Sequence, residues 1–269
     1  MIPTSLSRLR TSRGLLARAT LIAAATLPHA AAAEEIPPLP EATTLLQRFV
    51  RAVGGETEIR RIDALSARGR IVLPRSDRSG TFSWKVADGN RCRFDMAFPQ
   101  LGQRSFGSDG AVGWERVELD GAVHENELEV AEVERRRRHA NWFELALTLP
   151  ARATEFKTMG RVSFDSVPAF EVRMLDPNER VHHLFFDADS HLLLGVRLIE
   201  KGPLGPADVT IRFSEWKPVG PLQLFHLVSI DHADLHLQLE FESVSLDAIP
   251  ASDFAPPELM PTEGQGRNE

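Results

Sequence analysis

Hydrophobic residues near the start of the chain are spaced as in a helix. Within residues 41–53 the apolar positions fall on one stripe of a helix, and Gly54-Gly55 can take the left-handed backbone that ends it. A second short helix is predicted at about residues 56–62. Residues 125–149 begin with a run rich in glutamate and arginine and close on apolar and aromatic residues, which predicts one or two further helices.

From Ala67 onward most of the chain alternates between apolar and polar residues, which is typical of β-strands with one buried face. Asp-Gly pairs stand between alternating segments at positions 88–89, 109–110 and 120–121, and this pair is a strong signal for a β-hairpin. About a dozen short strands with tight turns predict one large antiparallel sheet, which must curl to hide its apolar face. The predicted fold class is therefore mainly β, within α+β, and no linker divides residues 41–257.

The first 33 residues differ from the rest of the chain. They carry four arginines and no acidic residue, followed by the apolar stretch 19–27 and an alanine-rich end, which is the pattern of a secretory signal peptide. We expect cleavage near Ala33-Glu34 and a periplasmic protein without a lipid anchor, because no cysteine lies near that site. A mitochondrial transit peptide is the alternative. The predicted domains are a signal peptide at 1–33, one folded domain at 34–260 and a polar tail at 261–269.

Composition and charge exclude several classes of protein. The chain of 269 residues is 42% hydrophobic and carries a formal net charge of −7, which fits a globular protein and rules out a collagen-like or wholly disordered one. Loss of the four arginines makes the mature chain more acidic still, so the phosphates of nucleic acid would repel it. The single cysteine, Cys92, cannot form an intramolecular disulfide and lies on the apolar side of its predicted strand, where we expect an inert thiol.

No motif in the sequence identifies a catalyst. There is no Gly-x-Ser-x-Gly nucleophile turn, no His-Glu-x-x-His zinc helix and no phosphate-binding glycine loop, so we expect neither an enzyme nor a bound cofactor. His182 and His183 point to opposite faces of a predicted strand and are interpreted as surface residues. The metal-like segment 231–236 is interpreted as a polar hairpin tip. Four arginines at 135–138 favour a solvated helix, or else a docking site for an acidic partner or lipid headgroup.

Five segments carry a family resemblance: residues 49–56 (FVRAVGGE), 107–114 (GSDGAVGW), 134–143, 184–194 and 253–257. Together they resemble the outer-membrane lipoprotein-sorting, LolA/LolB-like family, over nearly all of the mature chain. The resemblance implies a curved antiparallel sheet that forms an unclosed half-barrel, with helices covering its concave face. It also implies a non-catalytic carrier of acyl chains or another hydrophobic ligand. Its partners would be a lipid or acylated protein, a protein of the cell envelope and, transiently, a membrane.

A half-barrel needs either a ligand or packed side chains against its apolar face. The candidate lining residues are Trp84, Phe94, Met96, Phe106, Trp114, Trp142, Phe143, Phe170 and Phe185. We expect Trp114 to point inward and Arg93 to point outward. The alternative is that these residues form an ordinary core. Three classes of function stay open: a periplasmic carrier, which we favour, an interaction or scaffold protein with a filled core, and a secreted hydrolase without a visible motif.

Overall fold

The computed structural model describes residues 38–99, 101–140, 143, 147, 154–176, 179–202, 205–232 and 235–256. The predicted signal peptide, the polar tail and the candidate residue Trp142 lie outside the described residues. Within them the helices are α1 (Ala42–Ala52), α2 (Glu56–Arg60) and α3 (Val130–Ala140), and Phe143 and Leu147 are also helical. Two short 3₁₀ helices lie at Pro74–Ser76 and Ala251–Phe254.

Fifteen β-strands make up most of the described chain. They are β1 Ala64–Leu73, β2 Arg78–Ala87, β3 Arg91–Phe98, β4 Gly102–Ser108, β5 Gly113–Leu119, β6 Ala122–Leu128, β7 Glu155–Phe164, β8 Val167–Leu175, β9 Val181–Asp187, β10 Leu193–Gly202, β11 Gly205–Ser214, β12 Lys217–Val219, β13 Leu222–Leu224, β14 Leu227–His232 and β15 Leu235–Ser245. Thirteen of them form one antiparallel sheet in the order β6-β5-β4-β3-β2-β1-β15-β14-β11-β10-β9-β8-β7, while β12 and β13 form a separate hairpin. The sheet ends at β6 and β7, so the predicted fold class, mainly β with one unclosed antiparallel sheet, is confirmed.

Hairpin turns set the register of the sheet, as the Asp-Gly pairs predict. Asp120 (φ 51°) and Gly121 (φ 78°) are the two central residues of the turn between β5 and β6, and both have the left-handed backbone that this turn requires. Between β2 and β3 the loop has three residues, and the left-handed ones are Gly89 and Asn90. Because the register is fixed, each residue of a strand belongs to a definite face of the sheet.

The two faces of the sheet have different surroundings. We call the side that carries Phe82 and Trp84 of β2 the core face, and the opposite side, which carries Lys85, the outer face. The main hydrophobic cluster lies on the core face and includes side chains of α1, β1, β2, β8–β11 and β13–β15. Helix α1 packs there through the fully buried Phe49, whose ring centroid lies 5.5 Å from that of Phe186 on β9. The predicted helix at the start of the chain therefore covers part of the apolar face.

Two expectations about the elements of the fold and their exposure are wrong. Residues 125–128 lie in β6 and not in a helix, because their backbone pairs with β5, and this tertiary pairing overrides the local preference of glutamate. His182 is not a surface residue, since it is 4% exposed on the core face, with its Nε2 3.3 Å from the carboxylate of Asp176. Burial lowers the pKa of His182, so the neutral ring is favoured at pH 7.

We expect Phe49→Ala to lower the free energy of unfolding by about 3–5 kcal/mol, because it leaves a cavity between α1, Phe186 and Trp216. Equilibrium urea unfolding followed by circular dichroism measures the change. Gln47→Ala, on the exposed side of the same helix, is the control and should change stability by no more than about 0.5 kcal/mol. Equal stability of the two variants would contradict the packing of α1 on the core face.

Candidate functional site

The core face of the sheet has an aromatic centre. Phe143, a helical residue between β6 and β7 in the chain, is 2% exposed and lies against this centre. Its ring stacks with those of Trp84 and Phe225, at centroid distances of 5.5 and 4.3 Å, and meets Phe241 edge-on at 5.4 Å. Each such ring pair adds about 0.5–1.5 kcal/mol to the effect of burying apolar surface. Phe143 therefore closes the aromatic centre.

An apolar cavity of about 250 Å³ lies beside Phe143. Its apolar side chains come from the end of α2, from β1 and β2 and from the two helical residues that follow α3; the larger ones are Ile59, Ile62, Leu65, Val86, Phe143 and Leu147. Asp63, Asp88 and Arg137 are the charged residues of the lining, and both aspartates are exposed. The cavity can thus hold an apolar group while its charged side contacts water or a polar group.

A cluster of Glu115, Arg104 and Arg136, which we call the latch, holds α3 on the core face. The carboxylate of Glu115 on β5 accepts hydrogen bonds from Arg136 of α3 at 2.5 Å and from Arg104 of β4 at 2.6 Å. Burial alone would raise the pKa of Glu115, but the hydrogen bonds and charges of the two arginines outweigh it and lower the pKa. Beside the latch, a β-carbon at Gly113 would lie only 2.1 Å from Cγ2 of Val133. The latch is therefore ionised at neutral pH, and α3 lies directly against β5.

Six of the candidate lining residues belong to the core face. They are Trp84, Phe94, Met96, Phe106, Phe143 and Phe170. Trp84 and Phe143 are deeply buried in the aromatic centre. Phe94 and Phe106 are half-buried neighbours on β3 and β4, with ring centroids 5.6 Å apart, and Phe170 lies on β8 in the other half of the sheet. The structure therefore brings together the predicted residues of the first half of the chain and Phe143, with Phe170 apart from them.

Trp114 lies on the outer face, contrary to the prediction. Its cross-strand neighbour on β4 is Gly107, whose neighbour on β3 is Arg93, so Trp114 and Arg93 share one face. The indole Nε1–H donates to the carbonyl of Phe254 at 3.2 Å, and the guanidinium of Arg93 lies 5.5 Å from the centre of the indole ring system. The 3₁₀ helix near the end of the described chain thus buries Trp114. Alternation in the sequence cannot distinguish this burial from burial in the main core.

Phe185 also lies on the outer face and so is not part of the predicted lining. Its ring stacks on that of Phe164 at a centroid distance of 4.3 Å, in a small cluster separate from the main one, and Arg197 lies 5.2 Å from the ring centroid. The neighbouring Leu184 and Phe186 are both buried on the core face. Because three successive residues are buried, no polar residue marks the outer face of this part of β9.

Sequence reasoning missed Phe225 and Phe241, two rings of the aromatic centre. Phe241 belongs to the alternating pattern of β15, which is the signal that could have identified it. Phe225 lies in the short connection between β13 and β14, where the N–H of His226 donates to carbonyls of Ser214 and Glu215. Alternation is interrupted there, so the sequence gives no signal for the position of Phe225.

The segment 231–236, Cys92 and the arginines at 135–138 carry titratable groups that the sequence draws attention to. In the structure, several of these groups are paired with other protein groups or buried. In the segment 231–236, Asp231 contacts both Arg212 and His236. Across the described ranges, no group of three or more His, Cys, Asp or Glu side chains could hold a metal ion. Cys92 is 2% exposed on the core face, and burial raises the pKa of its thiol to about 11, which makes the thiol a poor nucleophile. Of the four arginines at 135–138, Arg136 belongs to the latch and Arg137 lines the cavity.

One further property concerns membranes. No helix within the part of the chain that the structure describes is both long and apolar enough to cross a lipid bilayer.

No family model and no curated protein matches the chain. Among solved structures, a DUF1329 family protein from Desulfovibrio piger is similar with a TM-score of 0.51 and 9% identity, over 81% of this chain and 98% of that one. An outer membrane lipoprotein-sorting protein domain from Vibrio parahaemolyticus has a TM-score of 0.47 and 12% identity, over 79% and 95% of the two chains. A LolA superfamily protein from Nitrosomonas europaea has a TM-score of 0.46 and 10% identity, over 81% and 99%. At these identities the likeness concerns the fold alone, and of these three the structure with a TM-score of 0.51, that of the Desulfovibrio piger protein, is the one that supports it.

Proposed function

We propose that the protein is a non-enzymatic periplasmic carrier that shelters an acyl chain or a similar hydrophobic ligand on the core face of its sheet. The observation that supports the proposal is the position of Phe143 and Leu147, which we call the cover. Phe143 stacks on Trp84 and Phe225 of the aromatic centre, and both helical residues line the cavity together with residues of β1 and β2. A bound acyl chain would take the place of the cover. The proposed location rests on the signal-peptide pattern of residues 1–33.

The size of the cavity means that the cover has to move. Ligand pockets commonly enclose about 300–1,000 Å³, and this cavity encloses about 250 Å³. Displacement of Phe143 and Leu147 would join the cavity to the aromatic centre, where a chain could contact Trp84 and Phe241. The ligand would therefore replace protein side chains and not merely enter an existing space.

The free energies of burial allow such an exchange. Burial of a phenylalanine or leucine side chain contributes about 1.5–3 kcal/mol, so the two side chains of the cover together contribute about 3–6 kcal/mol. Each buried methylene of an acyl chain contributes about 0.8 kcal/mol, and ten of them contribute about 8 kcal/mol. Burial therefore favours exchange of the cover for a long acyl chain over exchange for a short one.

A second candidate function, that of an interaction or scaffold protein, is supported by a different observation: protein side chains already fill much of the core face. Phe186, Phe213 and Phe225 are all less than 2% exposed, so the sheet needs no ligand to bury its apolar side. A protein with this filled core would act as an interaction or scaffold protein for another protein of the envelope. Leu119 and Val123, on either side of the turn between β5 and β6, are nearly half exposed and could contact such a partner.

We expect Val86→Phe to weaken the binding of a dansyl-labelled long-chain fatty acid by at least about tenfold, because the added ring fills the cavity beside the cover. Fluorescence titration of the purified protein measures the affinity. Val123→Phe is the matched control, since Val123 lies on the outer face of the edge strand β6 and is 47% exposed.

The two valine variants separate the two functions. Equal affinities of both variants would contradict binding at the core face. No saturable binding of the fatty acid by the unchanged protein, under conditions where circular dichroism shows the fold, would reject the carrier and support the scaffold.

Removal of the latch should make the cover easier to displace. We expect Glu115→Gln to accelerate the association of the dansyl-labelled fatty acid by roughly tenfold, because it removes the carboxylate that binds Arg136 of α3, the helix that ends just before Phe143. Stopped-flow fluorescence measures the rate. Glu127→Gln, at an exposed position on β6, is the control with the same chemical change and should leave the rate unchanged. An unchanged rate in Glu115→Gln would show that α3 does not limit entry.

A further inference from the structure

The outer face of the sheet carries a second concavity that the proposed carrier function does not use. It encloses about 610 Å³ and is lined by side chains and backbone of β1–β5 and β15; we call it the trough. This volume lies within the range of about 300–1,000 Å³ that is usual for ligand sites. The trough lies on the opposite side of the sheet from the cover, so its contents do not compete with a ligand on the core face.

Cross-strand register builds the trough from a single row of residues. Arg68, Ser83, Asp95, Ser105 and Arg116 are direct neighbours on the five successive strands β1 to β5. The long side chains of Arg68 and Arg116 stand at the two ends of the row. The serines on β2 and β4 have short side chains, so the surface between the ends is depressed. Four inter-strand spacings separate the end residues, which corresponds to about 19 Å between their backbones. The trough is therefore wide enough for a chain of several linked rings.

Each wall of the trough carries charged side chains of both signs. Arg68 stands beside Glu242, an extra residue of β15 at a β-bulge opposite Gly69, where a β-carbon would lie 1.9 Å from the carbonyl oxygen of Glu240. On the other wall Arg116 stands on β5 in the same strand as Glu118, and its guanidinium donates to the carboxylate of Glu125 on β6 at 2.9 Å. The lining as a whole holds three arginines and three carboxylates, so it has no net charge to attract a polyanion or a polycation.

The floor offers both donors and acceptors of hydrogen bonds. Nε of Arg93 holds the two carboxylate oxygens of Asp95 at 3.0 and 2.9 Å, which orients this carboxylate in the middle of the trough. In the described part of the chain no hydrogen bond engages the hydroxyls of Ser83 and Ser105 or the side-chain amide of Gln103, which all line the trough. Such groups can bond to a ligand that both donates and accepts.

We propose that the trough is a binding site for a neutral oligosaccharide. Sugar hydroxyls donate hydrogen bonds to carboxylates and accept them from guanidinium and amide groups. One sugar chain can therefore form hydrogen bonds with the charged side chains of the walls and with the polar side chains of the floor. An acyl chain does not fit, since the register assigns the apolar side chains of Phe82 and Met96 to the core face. Extended peptides bind at sheet edges, in apolar or aromatic grooves or at arginine clusters that take an acidic motif. The trough is neither an edge nor an apolar groove, and three carboxylates balance its three arginines.

Titration with chitotetraose and cellotetraose, followed by amide chemical shifts and calorimetry, tests the proposal. We expect saturable binding of at least one of them, with shift changes concentrated at Ser83, Asp95 and Ser105. Asp95→Asn and Gln103→Ala should each weaken this binding, the first by about tenfold. Asp189→Asn, in the exposed turn between β9 and β10, is the matched control and should leave affinity unchanged.

Four results would overturn the proposal. They are no binding of either sugar at millimolar concentration, shift changes confined to other surfaces, equal affinities of Asp95→Asn and Asp189→Asn, and tighter binding of a polar Gly-Ser peptide than of both sugars. Val86→Phe should bind the sugar as the unchanged protein does, because Val86 lies on the core face. Failure of the trough and failure of the acyl site are therefore distinguishable.

Discussion

An open antiparallel sheet with one apolar face has to bury that face against something other than itself. In this protein the sheet ends at β6 and β7, and segments outside the sheet provide the covering. Helix α1 covers part of the face through Phe49, Phe143 covers the aromatic centre with Leu147 beside the adjoining cavity, and α3 lies against β5. Whether the protein carries a ligand depends on whether one of these segments can leave.

Helices α1 and α3 are held on the core face by different kinds of interaction. Phe49 of α1 is fully buried among apolar side chains, so its removal exposes apolar surface with no compensation. Helix α3 is held by the ion pair of Arg136 with the buried carboxylate of Glu115 and by a buried apolar side chain, Val133, against Gly113. When the helix moves away, the charged groups can bond to water instead. We therefore expect opening to cost less at α3 than at α1, which is held by apolar packing.

The sequence predicts the elements well and the orientation of single side chains less well. Alternation and Asp-Gly turns identify β2, β3 and the hairpin of β5 and β6, because these signals are local. For Trp114 and Phe185 the pattern predicts the wrong face, since a large apolar residue indicates burial but not which segment covers it. Phe254, from a distant part of the chain, buries Trp114, and Phe164 from a neighbouring hairpin buries Phe185. The trough could not be predicted from the sequence either, because only the register across five strands brings its residues together.

The most direct measurement records nuclear Overhauser contacts of the Phe143 ring in the free protein and in the protein saturated with a long-chain fatty acid. In the free protein we expect contacts from Phe143 to the rings of Trp84 and Phe225, which stack with it. On saturation these contacts should disappear, and contacts from the methylenes of the fatty acid to Trp84 should replace them, while those between Phe49 and Phe186 persist. Undiminished contacts from Phe143 to Trp84 and Phe225 at saturation would contradict the account.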